Sequence, residues 1–210
     1  MLLQWLLLSI FGSLFLDEFG RVHFRNKIGK TLGLGSLCYE QDGKEFLEAC
    51  KDGHAPLVEL MLKFSDSSVL NHTDDHENFE KTGLHWACEN DRLEVVKLLV
   101  EDPNININVT DMDGKTGFHL ACEMYGMGVV KLLVEDSKIN INVKDSLGKT
   151  GLHWACEKNR LEVVKVLVED PKININVKDS NGYSALVYCK GREIATLLLE
   201  SGKLNIMDDI

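Results

Sequence analysis

The sequence predicts an all-α solenoid, in which about five short helix-turn-helix units with β-like turns stack on one another. The first observation is a repeat, because similar segments begin at Lys81, Lys115, Lys149 and Tyr183, always 34 residues apart. A constant period of this length is the signature of a repeat array. The second observation is that each segment holds two apolar patterns with helical spacing. The third is a D-x-x-G turn sequence that closes each of the three full segments.

The first helix of each unit is predicted to begin after a threonine. Thr82, Thr116 and Thr150 are suitable N-caps, because a hydroxyl group can accept a hydrogen bond from a free amide of the first turn. In the unit from Lys81, the small and apolar side chains of Leu84 and Ala87-Cys88 then follow on one helical face. We expect this face to be buried.

The second helix is predicted to begin near Leu93 and to end before Pro103, and Pro171 ends the equivalent helix two units later. The alternating I-N-I-N-V sequence that follows predicts a short extended arm, and D-x-x-G predicts a turn at its tip. The residue between the paired helices favours a left-handed backbone, which Gly adopts most easily and Asn or Asp tolerate. Residues of these types at that place are Gly53, Asp91 and Asn159.

The repeated motif resembles that of the ankyrin-repeat family. The family's T-P-L-H-x-A signature occurs as T-G-L-H-W-A at 82–87 and 150–155, and as T-G-F-H-L-A at 116–121. The resemblance covers residues 43–210. Glycine replaces the proline of the signature, for example at Gly151. If Gly151 is the first helical residue, Gly151→Pro is expected to stabilise the protein by about 0.4 to 1 kcal/mol.

The repeat also predicts the domain organisation. Residues 43–210 form one ankyrin-repeat domain, with units at about 43–80, 81–114, 115–148, 149–182 and 183–210; the shortened last unit is expected to act as a C-terminal cap. Residues 1–42 are an apolar segment and linker. Residues 1–16 are uniformly apolar but short for a membrane span. Three alternatives stay open for them: a membrane anchor or signal, a helix packed on the first unit, or an extension without defined structure.

Each of the three units that begin at Lys81, Lys115 and Lys149 carries a His and a Cys three residues apart, such as His85 and Cys88. Alone, this pair suggests half of a zinc site or a nucleophile beside its base. The resemblance implies instead that the histidine ties the turn region together by hydrogen bonds and that the cysteine is a core residue. Equivalent cysteines in stacked units are about 10 Å apart, too far for a disulfide. We therefore predict free thiols, with no catalytic, metal or cofactor site.

One loop offers a different metal hypothesis. His72 and His76 flank Asp74 and Asp75 in the enlarged loop of the first unit. Such a group contains metal-ligand side chains, but the preferred interpretation is an exposed polar loop.

The charge of the chain limits its partners. The formal net charge is -10, and no Lys/Arg run is present, which argues against a nucleic-acid partner. A repeat stack offers an extended surface to proteins, so the predicted function is a non-catalytic interaction module or scaffold. Its partner is a protein of unknown identity with basic character.

The alternative is a membrane-anchored spacer in a larger assembly, in which any membrane contact is made by residues 1–16. The predicted location is cytoplasmic, with membrane or secretory attachment through that segment as the alternative, and we expect a monomeric repeat domain.

The binding residues are expected where the units differ from one another, at the turn tips and at the ends of the first helices. The candidates are Trp86, Asn90, Met112, Asp113, Lys115, Met124, Tyr125, Ser146, Leu147, Lys149, Trp154, Lys158, Ser180, Asn181 and Tyr183.

Overall fold

A computed structural model describes residues 35–74, 80–124 and 126–205, with side chains from residue 42 onward. Within these ranges the protein consists of α-helices and one 3-10 helix, and they contain no strand. The helices are α1 (Gly35–Asp52), α2 (Ala55–Phe64), α3 (Ser67–Leu70), α4 (Gly83–Glu89), α5 (Leu93–Glu101), α6 (Gly117–Glu123), α7 (Met127–Glu135), α8 (Gly151–Glu157), α9 (Leu161–Glu169), the 3-10 helix (Ala185–Tyr188) and α10 (Arg192–Glu200). The prediction of an all-α solenoid is confirmed.

The helices form two layers. The first helices α1, α4, α6, α8 and the 3-10 helix pack on one another in that order, and α2, α5, α7, α9 and α10 form the second layer. One continuous core lies between the layers. Among its fully buried members are Val96, Leu99, Val130, Leu133, Val164 and Leu167. A core shared between neighbours makes each unit depend on the next for the burial of its apolar face.

The predicted helix boundaries agree well with the structure. Thr82, Thr116 and Thr150 are the N-caps of α4, α6 and α8. The helices α5 and α9 end two residues before Pro103 and Pro171. The inter-helix residues Gly53, Asp91 and Asn159 have φ angles of 83°, 54° and 58°. These left-handed residues let the second helix reverse direction against the first.

The predicted N-terminal boundary of the repeat domain, at residue 43, falls within a helix. Helix α1 begins at Gly35 and ends at Asp52. The enlarged loop of the first unit also holds the short helix α3. No helix within the described ranges is long and apolar enough to cross a membrane. Residues 1–16 lie outside those ranges.

The I-N-I-N segment is not the extended arm that its alternation predicts. In the unit from Lys81 it forms two consecutive turns, because side chains accept hydrogen bonds from the backbone two residues later. Asp102 Oδ1 accepts from the Asn104 amide at 2.8 Å, and Asn106 Oδ1 accepts from the Asn108 amide at 3.2 Å. The alternation places Ile107 in the core and leaves Asn106 and Asn108 exposed.

These turns connect neighbouring units through asparagine side chains. Asn71 donates from Nδ2 to the Asn104 carbonyl at 2.9 Å, and its Oδ1 accepts from the Asn106 amide at 3.0 Å. Asn142 makes the same two contacts with the next unit, to Lys172 O and Asn174 N, both at 2.8 Å. The longer loop of this protein therefore forms a column of inter-unit hydrogen bonds, which we call the asparagine ladder.

Lysines of the same loops bind the carbonyl ends of helices in the preceding unit. The ammonium groups of Lys138, Lys172 and Lys203 donate to the carbonyls of Val100, Val134 and Val168 at 3.2, 2.6 and 2.8 Å. The last carbonyls of a helix lack partners within the helix and carry partial negative charge. A lysine from the next unit neutralises each end.

The glycines that replace the family proline are packed against cysteines. Gly151 is the first residue of α8, as predicted. However, a Cβ atom there would lie 2.8 Å from Cys122 Sγ and 2.8 Å from Phe118 Cε1. Gly83 is in the same position against Cys50 Sγ, also at 2.8 Å. The expectation that Gly151→Pro stabilises the protein is therefore wrong, because the space for the ring is occupied.

Candidate partner-binding surface

An aspartate holds the backbone of each turn tip. Asp111 Oδ1 accepts from the amides of Asp113 and Lys115 at 3.0 and 2.8 Å. Asp145 and Asp179 make the equivalent pairs of hydrogen bonds at 2.8 to 2.9 Å. All three aspartates are buried. The tips are thus rigid turns that present the residues between Asp and Gly.

Adjacent tips are joined directly by their backbones. The Ser146 amide donates to Asp113 O, and the Ser180 amide donates to Leu147 O, each at 3.0 Å. The three tips therefore form one row along the stack. We define the tip surface as the exposed residues of this row, which are Met112, Asp113, Ser146, Leu147, Ser180, Asn181 and Tyr183.

The tip surface carries large apolar side chains. Met112, Leu147 and Tyr183 are exposed by 57%, 55% and 50%. Each tip contributes one of them. Apolar side chains that stay exposed on rigid neighbouring turns form a patch suited to contact with another protein.

The other lysine and tryptophan candidates have internal partners. Lys115 and Lys149 form ion pairs with Glu123 and Glu157 at 2.8 and 2.5 Å. Their side chains are only 12% and 10% exposed. Lys81 and Glu89 repeat the arrangement at 2.7 Å. These lysines hold the tip to the end of the first helix in their own unit, so we remove Lys115 and Lys149 from the candidate surface.

The ammonium groups also stack on aromatic rings. The Nζ atoms of Lys115 and Lys149 are 3.7 and 4.7 Å from the ring centroid of Trp154, a favourable cation–π geometry. Trp154 is buried and donates from Nε1 to Asp145 Oδ2 at 2.8 Å. It is therefore a packing residue. Trp86 is half-buried, between Lys51 and Lys81 at 4.4 and 4.7 Å.

The candidates at the ends of the first helices have different surroundings. Asn90 is half-buried and donates to Trp86 O at 2.9 Å, whereas Met124 is 39% exposed. Lys158 is exposed but reaches Glu123 at 3.0 Å. Burial opposes ionisation of Glu123, yet the hydrogen bonds from Lys115 and Lys158 lower its pKa below the usual range. Tyr125 lies outside the described residues.

The repeated histidines have structural partners on both ring nitrogens. His119 Nδ1 accepts from the Thr116 amide at 3.1 Å, and Nε2 donates to Val143 O at 3.0 Å and Lys149 O at 3.2 Å. His85 and His153 cap their helices in the same way and reach Lys115 O and Tyr183 O in the next unit. Burial is the main cause that lowers the pKa of all three histidines. They are neutral hydrogen-bonding residues that join consecutive units.

The repeated cysteines are buried free thiols. Cys50, Cys88, Cys122 and Cys156 are all 0% exposed and form no disulfide. Burial raises the pKa of the Cys50 and Cys88 thiols, and this disfavours the reactive thiolate. The prediction of free thiols at these positions is confirmed. Within the described ranges no cluster of three or more metal-ligand side chains occurs; His76 and Asp75 of the loop hypothesis lie outside those ranges.

Sequence reasoning missed the internal roles of Lys115 and Lys149. The signal was available in the sequence, because each lysine precedes a glutamate by eight residues in three consecutive units. A side chain at a variable tip would not need to keep a charged partner at a fixed distance. This pattern favours an internal ion pair over a contact to a partner.

Two comparisons place the chain among known proteins. The sequence model described as ankyrin repeats (3 copies) matches residues 46–145 and 118–208. A palmitoyltransferase, AKR1 of Kluyveromyces lactis, is 35% identical over 75 residues, which cover 35% of this chain. The match spans about 10% of the length of that relative.

Proposed function

Because the chain belongs to the ankyrin-repeat family, we propose that it is a non-catalytic interaction module that binds a protein partner on its tip surface. The observation that carries this proposal is the row of exposed Met112, Leu147 and Tyr183 side chains on turns that are themselves hydrogen-bonded together. The buried polar groups of the tips are satisfied internally. Contact with a partner is the role that remains for the exposed side chains.

The chemistry of the tip surface indicates the kind of partner. Asp113 is its single charged residue; the other members are apolar or neutral polar. Methionine adapts its shape to an apolar neighbour, and tyrosine is enriched at protein interfaces. We infer a partner with an apolar contact region edged by polar groups. This replaces the basic partner expected from the net charge alone, because the charge lies mostly elsewhere on the chain.

The relative from Kluyveromyces lactis does not change this proposal. Its name describes a transferase, but the matched 75 residues are about 10% of that protein. In the H-x-A-C motifs the three histidines, His85, His119 and His153, are buried and hydrogen-bonded, and the cysteines, Cys88, Cys122 and Cys156, are buried. The proposal therefore remains a binding function without chemistry.

The test is quantitative affinity capture with the full chain and two triple variants. The first variant carries Met112→Ser, Leu147→Ser and Tyr183→Ser. The control carries Phe64→Ser, Leu93→Ser and Leu199→Ser, three apolar residues of comparable exposure (42%, 39% and 50%) on or beside the second helices. A partner retained by the wild type and the control, but lost from the tip variant, is the expected result.

Circular dichroism must show that all three proteins keep the same helical content. The proposal is contradicted if both variants retain every specific partner of the wild type. Loss of a partner from the control alone would move the binding site to the second-helix layer and would also overturn the tip surface as the site.

A further inference from the structure

The last unit exposes apolar side chains at positions that are buried in the units before it. Val187 stands at the position of the repeated histidines, which are buried, but is itself 57% exposed. Leu199 is the eighth residue of α10, as Val168 is of α9; Val168 is buried, whereas Leu199 is 50% exposed. Leu204 corresponds to the buried Ile173 and is half-buried. We call Val187, Leu199 and Leu204 the outer face of the last unit.

The same positions form the junctions between units elsewhere in the stack. Val100 and Val134, which precede Val168 in the series, are also buried. The second helices that carry these valines pack on the second helix of the following unit, in the pairs α5 with α7, α7 with α9 and α9 with α10. The outer face therefore continues, as a surface, the interface that joins the units to one another. In a repeat stack such a face is normally covered by a neighbour.

The outer face is nevertheless poorly suited to another unit of the regular kind. At a regular junction the histidine donates to a backbone carbonyl at the tip of the next unit, as His85 Nε2 does to Lys115 O at 3.0 Å. Val187 has no donor in its side chain. A regular unit packed here would bury its tip carbonyl without that hydrogen bond, which is unfavourable. The face thus favours an apolar surface that brings no such carbonyl.

A second outer face meets this requirement. The tip carbonyl of the last unit, Tyr183 O, already accepts from His153 Nε2 at 3.2 Å and from the Asp179 amide at 2.9 Å. Two outer faces can therefore meet without leaving this carbonyl unpaired. A contact between identical patches on two copies has two-fold symmetry and closes on itself, so it joins two chains and no more.

We propose that the chain forms a two-fold symmetric dimer in which the outer faces of two copies pack on each other. This departs from the monomeric repeat domain expected from the sequence, because the regular repeat does not show which side chains the last unit leaves exposed. Met112 and Leu147 of the tip surface belong to the second and third units and stay outside the contact. The dimer presents two tip surfaces, which strengthens the binding of a partner with two matching sites.

The test is sedimentation equilibrium of the folded full chain at increasing concentration. A buffer of high ionic strength screens the repulsion between two chains of net charge -10. We expect the mass to rise from that of the monomer, 23.6 kDa, to twice that value and to stop there. A mass that stays at the monomer value up to the highest soluble concentration overturns the proposal. Continued growth beyond the dimer also overturns it, because a head-to-tail contact does not close.

Matched variants locate the contact. Val187→Glu combined with Leu199→Glu should raise the dissociation constant of the dimer by at least about tenfold, because like charges would meet at the interface. The control, Met112→Glu with Leu147→Glu, adds the same charges at residues of similar exposure on the tip surface and should leave the constant unchanged. Equal dissociation constants for the wild type and the outer-face variant would overturn the proposal, as would a control that dissociates equally.

A mixing experiment tests the symmetry. A second variant carries Val187→Lys and Leu199→Lys, and it should be monomeric alone for the same electrostatic reason. When it is mixed with the Val187→Glu, Leu199→Glu variant, the two should form a heterodimer, because opposite charges then face each other across the contact. A mixture that stays monomeric would overturn the pairing of two outer faces. Circular dichroism checks that every variant keeps the helical content of the wild type.

Discussion

The fourth unit, 149–182, and the last unit, from Tyr183, have the same topology but differ in how their first helices are built. In the fourth unit His153 caps α8 through Thr150 and reaches Tyr183 O at 3.2 Å in the following unit. In the last unit Val187 stands at the histidine position and is 57% exposed. The difference shows that the histidine serves the next unit as much as its own. The described part of the chain has no further unit for residue 187 to contact.

The glycine position differs in the same way. Ala185 of the last unit stands where Gly151 stands in the fourth, and it begins a 3-10 helix where Gly151 begins an α-helix. In the regular units a Cβ atom at this position would press against the cysteine of the preceding unit. Glycine and cysteine therefore act as a pair across the unit boundary.

The role of the histidine in joining consecutive units is tested most strongly by His119→Ala. The change removes the acceptor for the Thr116 amide and the donor to Val143 O and Lys149 O. Because buried polar groups lose their partners, we expect a loss of about 3 kcal/mol or more in the free energy of unfolding. Urea unfolding followed by circular dichroism measures it.

The matched control is Val187→Ala in the last unit, which should change the stability by at most about 0.5 kcal/mol because the side chain is exposed. Equal losses for the two variants would show that the histidine does not link consecutive units.

The next largest effect is expected for Gly151→Ala. The new methyl group would meet Cys122 Sγ and Phe118 Cε1, so overpacking should cost about 1 to 3 kcal/mol. Combining it with Cys122→Ala should recover part of the loss, which a double-mutant cycle detects as a coupling of at least about 0.5 kcal/mol.

Gly128→Ala provides the control for this cycle. Its Cβ atom would lie 3.4 Å from Leu93 Cδ2, an ordinary contact, and alanine favours the helix. The free energy of unfolding of this variant should be higher than that of the wild type by up to about 1 kcal/mol. A strictly additive cycle, with zero coupling between Gly151 and Cys122, would reject the glycine–cysteine pair.

These features also show what the sequence can and cannot predict. The caps at Thr82, Thr116 and Thr150 and the left-handed Asp91 and Asn159 were predictable, because each depends on neighbours within a few residues. The asparagine ladder was not. Alternating Ile and Asn is also the pattern of a strand, and only the packed units show that Asn71 and Asn142 bridge to the next loop.

The candidate surface was predicted in part for the same reason. The tip residues Met112 and Leu147 are exposed as a D-x-x-G turn implies, since exposure there depends on local geometry. The burial of Lys149 could not be predicted in this way, because its partner Glu157 is reached only when the tip folds back on the first helix. Variation and repetition along a sequence do not show which side chains face each other.

A pH dependence follows from the three capping histidines. Burial holds the folded-state pKa of His85, His119 and His153 below the usual value, which is about 6.5 in an unfolded chain. Below pH of about 6.5 the unfolded state binds protons that the folded state does not. The contribution of these histidines to the free energy of unfolding is therefore fully present above this pH. It declines as the pH falls towards their lowered folded-state pKa values. Each histidine contributes a slope of at most about 1.4 kcal/mol per pH unit.

His119→Gln isolates one of these contributions. Glutamine is a natural partner for the Thr cap, but it does not titrate. The variant should therefore lose one histidine's share of the slope below pH of about 6.5, which is at most about 1.4 kcal/mol per pH unit. The measurement is a series of urea unfolding curves over that range. A slope identical to that of the wild type would mean that the pKa of His119 is the same in the folded and unfolded states.

The smallest effect on stability is expected for a lysine contact that occurs in both the fourth and the last unit. Lys172 binds Val134 O at the end of α7, and Lys203 of the last unit binds Val168 O at the end of α9. Lys172→Ala and Lys203→Ala should each cost about 0.3 to 1 kcal/mol, since a cation near a helix C-terminus is stabilising by that amount. Lys165→Ala is the control, because its ion pair with Glu162 is exposed and screened by water, so it should contribute little to stability. Thermal unfolding at low and high salt should show the first two losses shrinking at high salt. If Lys203→Ala were neutral while Lys172→Ala were not, the last unit would be held to the stack differently from the regular ones, by core packing and by hydrogen bonds such as that of His153 to Tyr183 O.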